Sequence, residues 1–526
     1  MPGSAMTSTE RAIAQLPPHL KRYVVPQDYE AYTPRDQAVW RHVLRRLTTH
    51  LADRAHVSYL QGLEATGIGL DRIPSLDEMN EKLARIGWSA VAVRGFVPPA
   101  VFTELQSLRV LAIAADIRTH EHIAYTPAPD IIHESAGHAP ILADPRYAEY
   151  VQRCGVVGFK SIASVEDQAV YEAIRNLSVV KEDPSSSEAD VDLALARLSA
   201  AAASRRYVSE SSRASRLYWW TAEYGLVGEL HTPKIYGAGL LSSIGEAEHC
   251  LGDTVEKRPL SLACADTEFD ITTMQPQLFV AQDFDHLFEV LEAFEATLAW
   301  RRGGDAGLEE AIRARTVNHL VLSDGLELSG RVAQRIPGRP LQPALDTALA
   351  RLTGPVMASR EGRALGQPWP GEALVAFGAN GQLPKGPFQM ELPSGLRLSG
   401  FHIGDHEVVN LQGRLEGQRV DLPSWTLLYL SEGLPSVAGG PADPGAWDQA
   451  MGGLNAFASG EAEQLARQRK AEALAPELAA CYQELSAMRA GSAPDRSRLE
   501  ALAQKAGHHP EDLLLRTEIA ELLETP

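Results

Sequence analysis

Apolar residues recur at helical spacing over residues 36–63, where Val39, Val43, Leu44 and Leu47 share a face, and the pattern predicts a helix. A second helix is predicted over 75–86, with Ser75 three residues ahead of Glu78 in a capping-box arrangement. Residues 88–96 alternate like a short strand. A third helix is predicted over 98–115, opened by proline, which the first helical turn tolerates. The pattern loosens between 161 and 215, and the polar, turn-rich run KEDPSSSEADVD at 181–192 reads as an exposed loop. Helical spacing returns at 216–229. Residues 251–283 read as short strands and turns, and 284–300 as helix, with a boundary near Arg302 in RRGGDAG.

Beyond that boundary the period changes to two. Residues 318–332, 371–378 and 388–417 alternate apolar and polar side chains with Gly or Asp-Gly at the turns, which predicts antiparallel strands. GLELSG at 325–330 resembles GLRLSG at 395–400, the mark of a duplicated hairpin. After the Gly/Pro-rich stretch 436–446, an Ala-, Leu- and Glu-rich tail predicts two or three helices ending near Leu523, packed on the β part or on a second subunit as a homodimer contact. The expected fold is therefore multidomain. A flexible tail (1–25) leads into a mainly α-helical region with short strands (26–302), interrupted by a polar insertion at about 181–205. A β-rich domain (303–440) and a helical C-terminal region (441–526) follow.

Composition narrows the class. A chain of 526 residues with 44% hydrophobic and 22% charged residues is that of a soluble globular protein of two or three domains. The formal charge of −19 opposes nucleic-acid binding, which needs a positive footprint. No apolar run is long enough to span a bilayer, and the first residues lack the apolar block of a signal peptide. Cys154, Cys250, Cys264 and Cys481 are scattered, which fits free thiols in a reducing cytoplasm.

The densest chemistry lies in PDIIHESAGHAPILADPRYAEY, residues 129–150. It sets His133 and His138 five positions apart, and YWWTAEYGL later offers Glu223 as a carboxylate that could meet them. Two imidazoles and one carboxylate on one face of a metal are the ligand set of non-haem Fe(II) oxygenases. Zinc peptidases of the HExxH type space their histidines at i and i+4 on one helix face. An i+5 offset is roughly 140° around an ideal helix, so a bend is expected, and Gly137 sits where one meets little resistance. The pair His120 and His122 reads as a solvated turn.

Four segments occur in order: IRTHEHIAYTPAPDIIHESAGHAPILADPRYAEY, YWWTAEYGL, IYGAGLLSSIGEAEHCL and MQPQLFVAQDF. Together they resemble the pterin-dependent aromatic amino acid hydroxylases, most of all the bacterial phenylalanine 4-hydroxylases, over about residues 26–302. The resemblance implies Fe(II), a tetrahydropterin such as tetrahydrobiopterin, and O2 as co-substrate. It implies His133, His138 and Glu223 as iron ligands and Arg118 as the grip on the substrate carboxylate. Thr126 and Ser242 match polar groups near the amino acid's head group, and Trp219 an aromatic wall of the pocket. Phe102, Glu134 and Glu246 match residues on the pterin side, and Asp130 a partner orienting the His133 imidazole. Trp219, and Ile271 where tyrosine hydroxylases carry an acid, lean toward phenylalanine, giving tyrosine. Tryptophan 5-hydroxylation and phenylalanine 3-hydroxylation are alternatives on the same fold; a zinc hydrolase and a non-catalytic binding protein are remoter ones. No role follows for residues 303–526.

Overall fold

The structure is a computed structural model that describes residues 6–95, 97–123, 129–183, 185–271, 273–451, 475–490 and 495–524. The N-terminal residues are packed rather than loose. A Thr7/Glu10 capping box opens the helix Ser8–Gln15, and Ala12, Leu16 and Leu20 seat on Val91, Val101, Leu105 and Val110. The helical stretch predicted over 36–63 is two helices, Pro34–Leu51 and Ser58–Ala65. Val39, Val43, Leu44 and Leu47 are buried as the spacing requires. Ser75 precedes the helix Leu76–Leu83, but its side chain makes no cap. The Gln27 side chain instead accepts from Leu76 N at 2.8 Å, and Glu78 pairs with Arg72.

The helix expected over 98–115 stops at Ser107. Arg109 turns the chain with φ 59°, and Val110–Ala114, all apolar and buried, becomes a strand parallel to Ser89–Val93. A continuous apolar run of this length suits a buried parallel strand. The loop expected at 181–192 is also shorter than read. Helices Val165–Glu182 and Glu188–Ala203 nearly abut, because Ser187 and Asp190 form a capping box that restarts the helix.

Two segments depart from α-helical winding. Ile132–His138 and Trp219–Glu223 are both π-helical, and the second continues directly from the helix Glu210–Tyr218. The chain then enters the strand Leu226–Val227 of a small four-stranded sheet, which clamps the end of that π turn.

The β-rich region is one sheet with an internal repeat. From one side run Asn318–Val321, Leu326–Gln342, Leu345–Arg360 and Ala373–Phe377. From the other run Gly386–Glu391, Leu396–Gly404, Glu407–Leu415 and Trp425–Ser431. The two sets meet where Ala373–Phe377 pairs in parallel with Trp425–Ser431. A short extra strand hangs on the third strand of each set, Arg363–Ala364 on one and Gln418–Val420 on the other. The turns GLELSG and GLRLSG open on glycines with φ 80° and 84°, and each turn makes the same pair of main-chain bonds, Leu322 N to Leu326 O and Gly325 N to Leu322 O in one, Leu392 N to Leu396 O and Gly395 N to Leu392 O in the other. The helix Gly304–Ala314 covers one face of this sheet, and Ile162 and Ala299 of the helical region join that core.

Of the C-terminal helices, Pro476–Ala490 and Leu513–Glu524 pack on the helix Pro34–Leu51 and Arg496–Ala506 packs on those two, away from the β sheet. Glu518, buried, receives Arg41 at 2.7 Å and Arg489 at 3.0 Å, and Asp512 receives Arg35 at 3.1 Å and the Tyr482 hydroxyl at 2.8 Å. No helix among the described residues is long and apolar enough to cross a membrane.

Candidate active site

The π turn at Ile132–His138 resolves the spacing of the two histidines. Bonding from i to i+5 winds the backbone more loosely than an α-helix, so side chains five apart come to one face without a kink. The imidazoles of His133 and His138 stand edge to face, 5.0 Å between centroids. Gly137 does not supply a bend. A Cβ there would lie 2.6 Å from Ala238 O, so its role is to let the helix Ala238–Ser242 come close. That approach delivers Ser242 to the site.

Glu223, last residue of the second π turn, meets both histidines. Its Oε2 lies 3.3 Å from His133 Nε2 and its Oε1 3.1 Å from His138 Nε2. Ser242 Oγ donates to Ala238 O at 2.7 Å, which leaves it an acceptor for His133 Nδ1–H at 3.0 Å. That bond puts the His133 proton on Nδ1 and leaves the Nε2 lone pair facing Glu223. His138 Nε2 is buried and makes no hydrogen bond among the described residues. An orphaned imidazole nitrogen, a second one with a free lone pair and a carboxylate between them form a donor set suited to a divalent metal.

A second carboxyl approaches from the first π turn. Glu134 shares a ligand-sized cluster with His133 and His138, its Oε2 3.9 Å from His138 Nε2. The two acids differ in charge. Burial pushes the Glu134 carboxyl up to about 8 despite the pull of His138. Burial opposes charge on Glu223 as well, but His138 and His133 together draw its carboxyl well below the usual range. Glu223 is thus the anionic donor and Glu134 a largely protonated neighbour at neutral pH.

Asp130 holds the main chain of this turn and not the imidazole. Its Oδ1 accepts from His133 N at 2.9 Å, and its two oxygens take Arg118 Nη2 and Nε, each at 2.8 Å. The ring is oriented by Ser242 instead. Burial would raise the Asp130 carboxyl, but the Arg118 guanidinium holds it below its ordinary value. Arg118 is itself buried, with Nη1 donating to Ser242 O at 2.9 Å. Of five guanidinium N–H groups, these bonds leave one on each terminal nitrogen.

Trp219 stacks between Phe269, at 4.2 Å and 8°, and Tyr224, at 4.5 Å and 24°. Phe102, half-buried on the helix Pro99–Ser107, reaches the site through Tyr218. It meets that ring edge-on at 5.8 Å, and Tyr218 stacks on His138 at 6.4 Å. Glu246 is buried on the helix Ile244–His249 and accepts from Gln275 N at 3.2 Å; the structure brings no described histidine or arginine to it. Thr126 lies outside the described residues. Sequence reading missed Tyr218 and Gln106, which donates to the Tyr218 hydroxyl at 2.5 Å, and it missed Phe269. Tyr218 had a signal, standing five before Glu223 as His133 stands five before His138. Phe269 had none, because its contact with Trp219 is made across 50 residues of chain.

Residues 14–180 and 183–302 match the model of the biopterin-dependent aromatic amino acid hydroxylases. The match begins ahead of residue 26 and omits only 181–182, so it takes in most of the stretch read as an insertion. A phenylalanine-4-hydroxylase of Mesorhizobium japonicum is 32% identical over 286 residues, covering 53% of this chain and 87% of the relative. One of Pseudomonas aeruginosa is 31% identical over 263 residues, covering 50% and 83%. Among solved structures, phenylalanine hydroxylase from Chromobacterium violaceum with bound iron(III) and 7,8-dihydrobiopterin is 27% identical with TM-score 0.42, covering 56% of this chain and 92% of that one. The same enzyme with iron and phenylalanine bound is 27% identical with TM-score 0.41, covering 55% and 92%. With a family model matched over more than half its length and a relative covered almost end to end, this chain belongs to the biopterin-dependent aromatic amino acid hydroxylases and carries a C-terminal extension beyond them.

Proposed function

We propose that this chain hydroxylates the ring of free L-phenylalanine to give L-tyrosine, using iron held by His133, His138 and Glu223, a tetrahydropterin and O2. One observation carries the reading: two imidazole nitrogens and an ionised carboxylate converge from two separate π turns, and one of those nitrogens is buried without a hydrogen bond. Relatives named phenylalanine-4-hydroxylase, at about a third identity, support phenylalanine as the substrate. Bound together, ferrous iron and a reduced pterin supply the electrons that activate O2.

The chain's own residues prepare the site. Ser242 keeps His133 in the tautomer whose Nε2 can donate to a metal. Glu134, buried with Oε2 3.9 Å from His138 Nε2, is the second carboxyl beside this donor set and would serve the pterin side. Asp130 fixes the plane of Arg118, whose two remaining N–H groups would hold the substrate carboxylate. Ring placement then falls to the aromatic stack of Phe269, Trp219 and Tyr224, in which Trp219 has an edge left to offer. Such a wall orients an aromatic ring without competing hydrogen bonds, and an anchored carboxylate fixes how far the ring reaches. Phe102, packed on Tyr218, and Glu246 are the residues that would serve the pterin side.

The test is turnover with Fe(II), a tetrahydropterin and each aromatic amino acid in turn, with the products identified. Tyrosine from phenylalanine is expected. 5-Hydroxytryptophan or meta-tyrosine as the main product would replace this reading with one of the two alternatives on the same fold. A zinc-loaded chain that hydrolyses and never hydroxylates would end it.

A further inference from the structure

A cavity of about 150 Å³ lies where the helical region meets the β-rich extension. One side is built from Glu210 and Arg213, at the start of the helix Glu210–Tyr218, with Thr297 and Arg302 beyond. The other is built from Glu310 and Arg313 of the helix Gly304–Ala314. The family match ends at 302, so a third of the lining residues (Ala306, Glu310 and Arg313) belong to the extension.

Most of the charges here are already spent. Arg213 grips Asp266, with Nε donating to Oδ1 at 2.8 Å, and reaches Thr297 Oγ1 at 3.3 Å. Both Glu210 oxygens accept main-chain bonds, from Ala299 N at 2.6 Å and Ile162 N at 3.1 Å. Arg313 pairs with Glu310 Oε2 and lies over the Tyr207 ring at 3.9 Å. Two groups of opposite character are left. Glu310 Oε1 is buried and has no donor among the described residues. Arg302 is exposed at the mouth and has no carboxylate partner among the described residues. A buried carboxylate oxygen without a donor is costly, and a guanidinium fork matches a carboxylate. One molecule carrying both an ammonium and a carboxylate would satisfy both.

We propose that this cavity binds a small α-amino acid, its ammonium on Glu310 and its carboxylate on Arg302, with a short apolar side chain toward Val208, Ala299 and Ala306. The volume admits a ligand about the size of benzene, which fits alanine or valine. Glu210 opens the same helix that ends in the π turn carrying Glu223, roughly 20 Å away at 1.5 Å per residue. A ligand here would tie the extension to the element that carries an active-site carboxylate.

The experiment is calorimetric titration of the intact chain, without iron, pterin or turnover, using L-alanine, L-valine, propionate, ethylamine and inorganic phosphate as probes. L-Alanine or L-valine should bind saturably, and Arg302→Ala and Glu310→Gln should each weaken them about tenfold or more, as loss of a charged hydrogen bond does. Propionate and ethylamine, which carry half the recognition each, should bind more weakly. Amide exchange of Gly304–Ala314 in the unaltered chain gives a second readout, slowing on ligand addition, that does not depend on the variants folding. The proposal is overturned if neither amino acid binds, if binding survives both substitutions, or if phosphate binds in a manner dependent on Arg302 but not on Glu310. None of these outcomes bears on hydroxylation, so the two readings fail separately.

Discussion

The helical region and the β-rich extension treat buried polarity in opposite ways. Around the π turns the chain buries Arg118, Asp130, Glu134, His138 and Glu246. In the β sheet the buried polar side chains are Asn318, Ser329, Thr347, Ser359, Ser394, Thr426 and Ser431, none of them ionisable. Buried charge is expensive unless paired or put to use. The first region meets that cost partly at the candidate site and partly in pairs away from it, such as Arg41 with Glu518. The sheet avoids it and repeats one regular unit.

The sharpest way to break the contrast is to remove the donors. His138→Ala and Glu223→Ala should each abolish tyrosine formation and iron retention, a loss beyond the about 10–100-fold that removal of a supporting contact costs; metal content and product yield check it. Normal hydroxylation by both would end the assignment. A buried charge of the C-terminal helices with no part in chemistry should fail differently. Glu518→Ala strands Arg41 and Arg489 and should cost about 3–5 kcal/mol in urea unfolding, while ring hydroxylation per folded molecule is kept.

Glu246 tests the cost of a buried carboxyl directly. Burial pushes it up to about 7, only partly offset by the Gln275 N–H. Its folded pKa therefore exceeds the unfolded value, the native chain holds the extra proton between about pH 4.5 and 7, and stability falls as pH rises through that window. The slope amounts to about 3 kcal/mol at most. Glu246→Gln should flatten it in melts across pH, and an unchanged slope would assign the titration elsewhere. Ser242→Ala removes the acceptor that fixes the His133 tautomer. It should weaken iron binding about 10–100-fold with little change in folding, measured by competition with a chelator.

The smallest effect belongs to the extension. Gly325→Ala and Gly395→Ala place a Cβ at left-handed φ in equivalent turns, with only flexible arginine side chains nearby. Each should cost about 1 kcal/mol, by nearly equal amounts if the two hairpins are a true repeat; clearly unequal losses would separate them.

Residue types and spacing carried much of the site into the sequence. His133, His138 and Glu223 could be picked out because the donors themselves are rare and their segments are dense. The winding that unites them could not, since an apolar period does not report a π turn. Gly137 was misread for the same reason: what makes glycine necessary is the Ala238 carbonyl pressed against it, a contact over a hundred residues away in sequence. The strand Val110–Ala114 hid inside a helical prediction because a fully buried strand has no alternation to show. The N-terminal helices and the C-terminal docking onto Pro34–Leu51 depend on surfaces that exist only once the rest has folded. The β hairpins, with alternation and turn glycines in plain view, were the most legible elements of the second half.

The wide turn at Ile132–His138 has an evolutionary arithmetic. A π turn equals an α-helix with one residue slipped in, and HESAGH shortened by one between its histidines would obey the HExxH rule. Removing one residue here would therefore change which side chains share the face now held by His133 and His138. Insertions and deletions in this turn, more than substitutions, are what would part the two imidazoles.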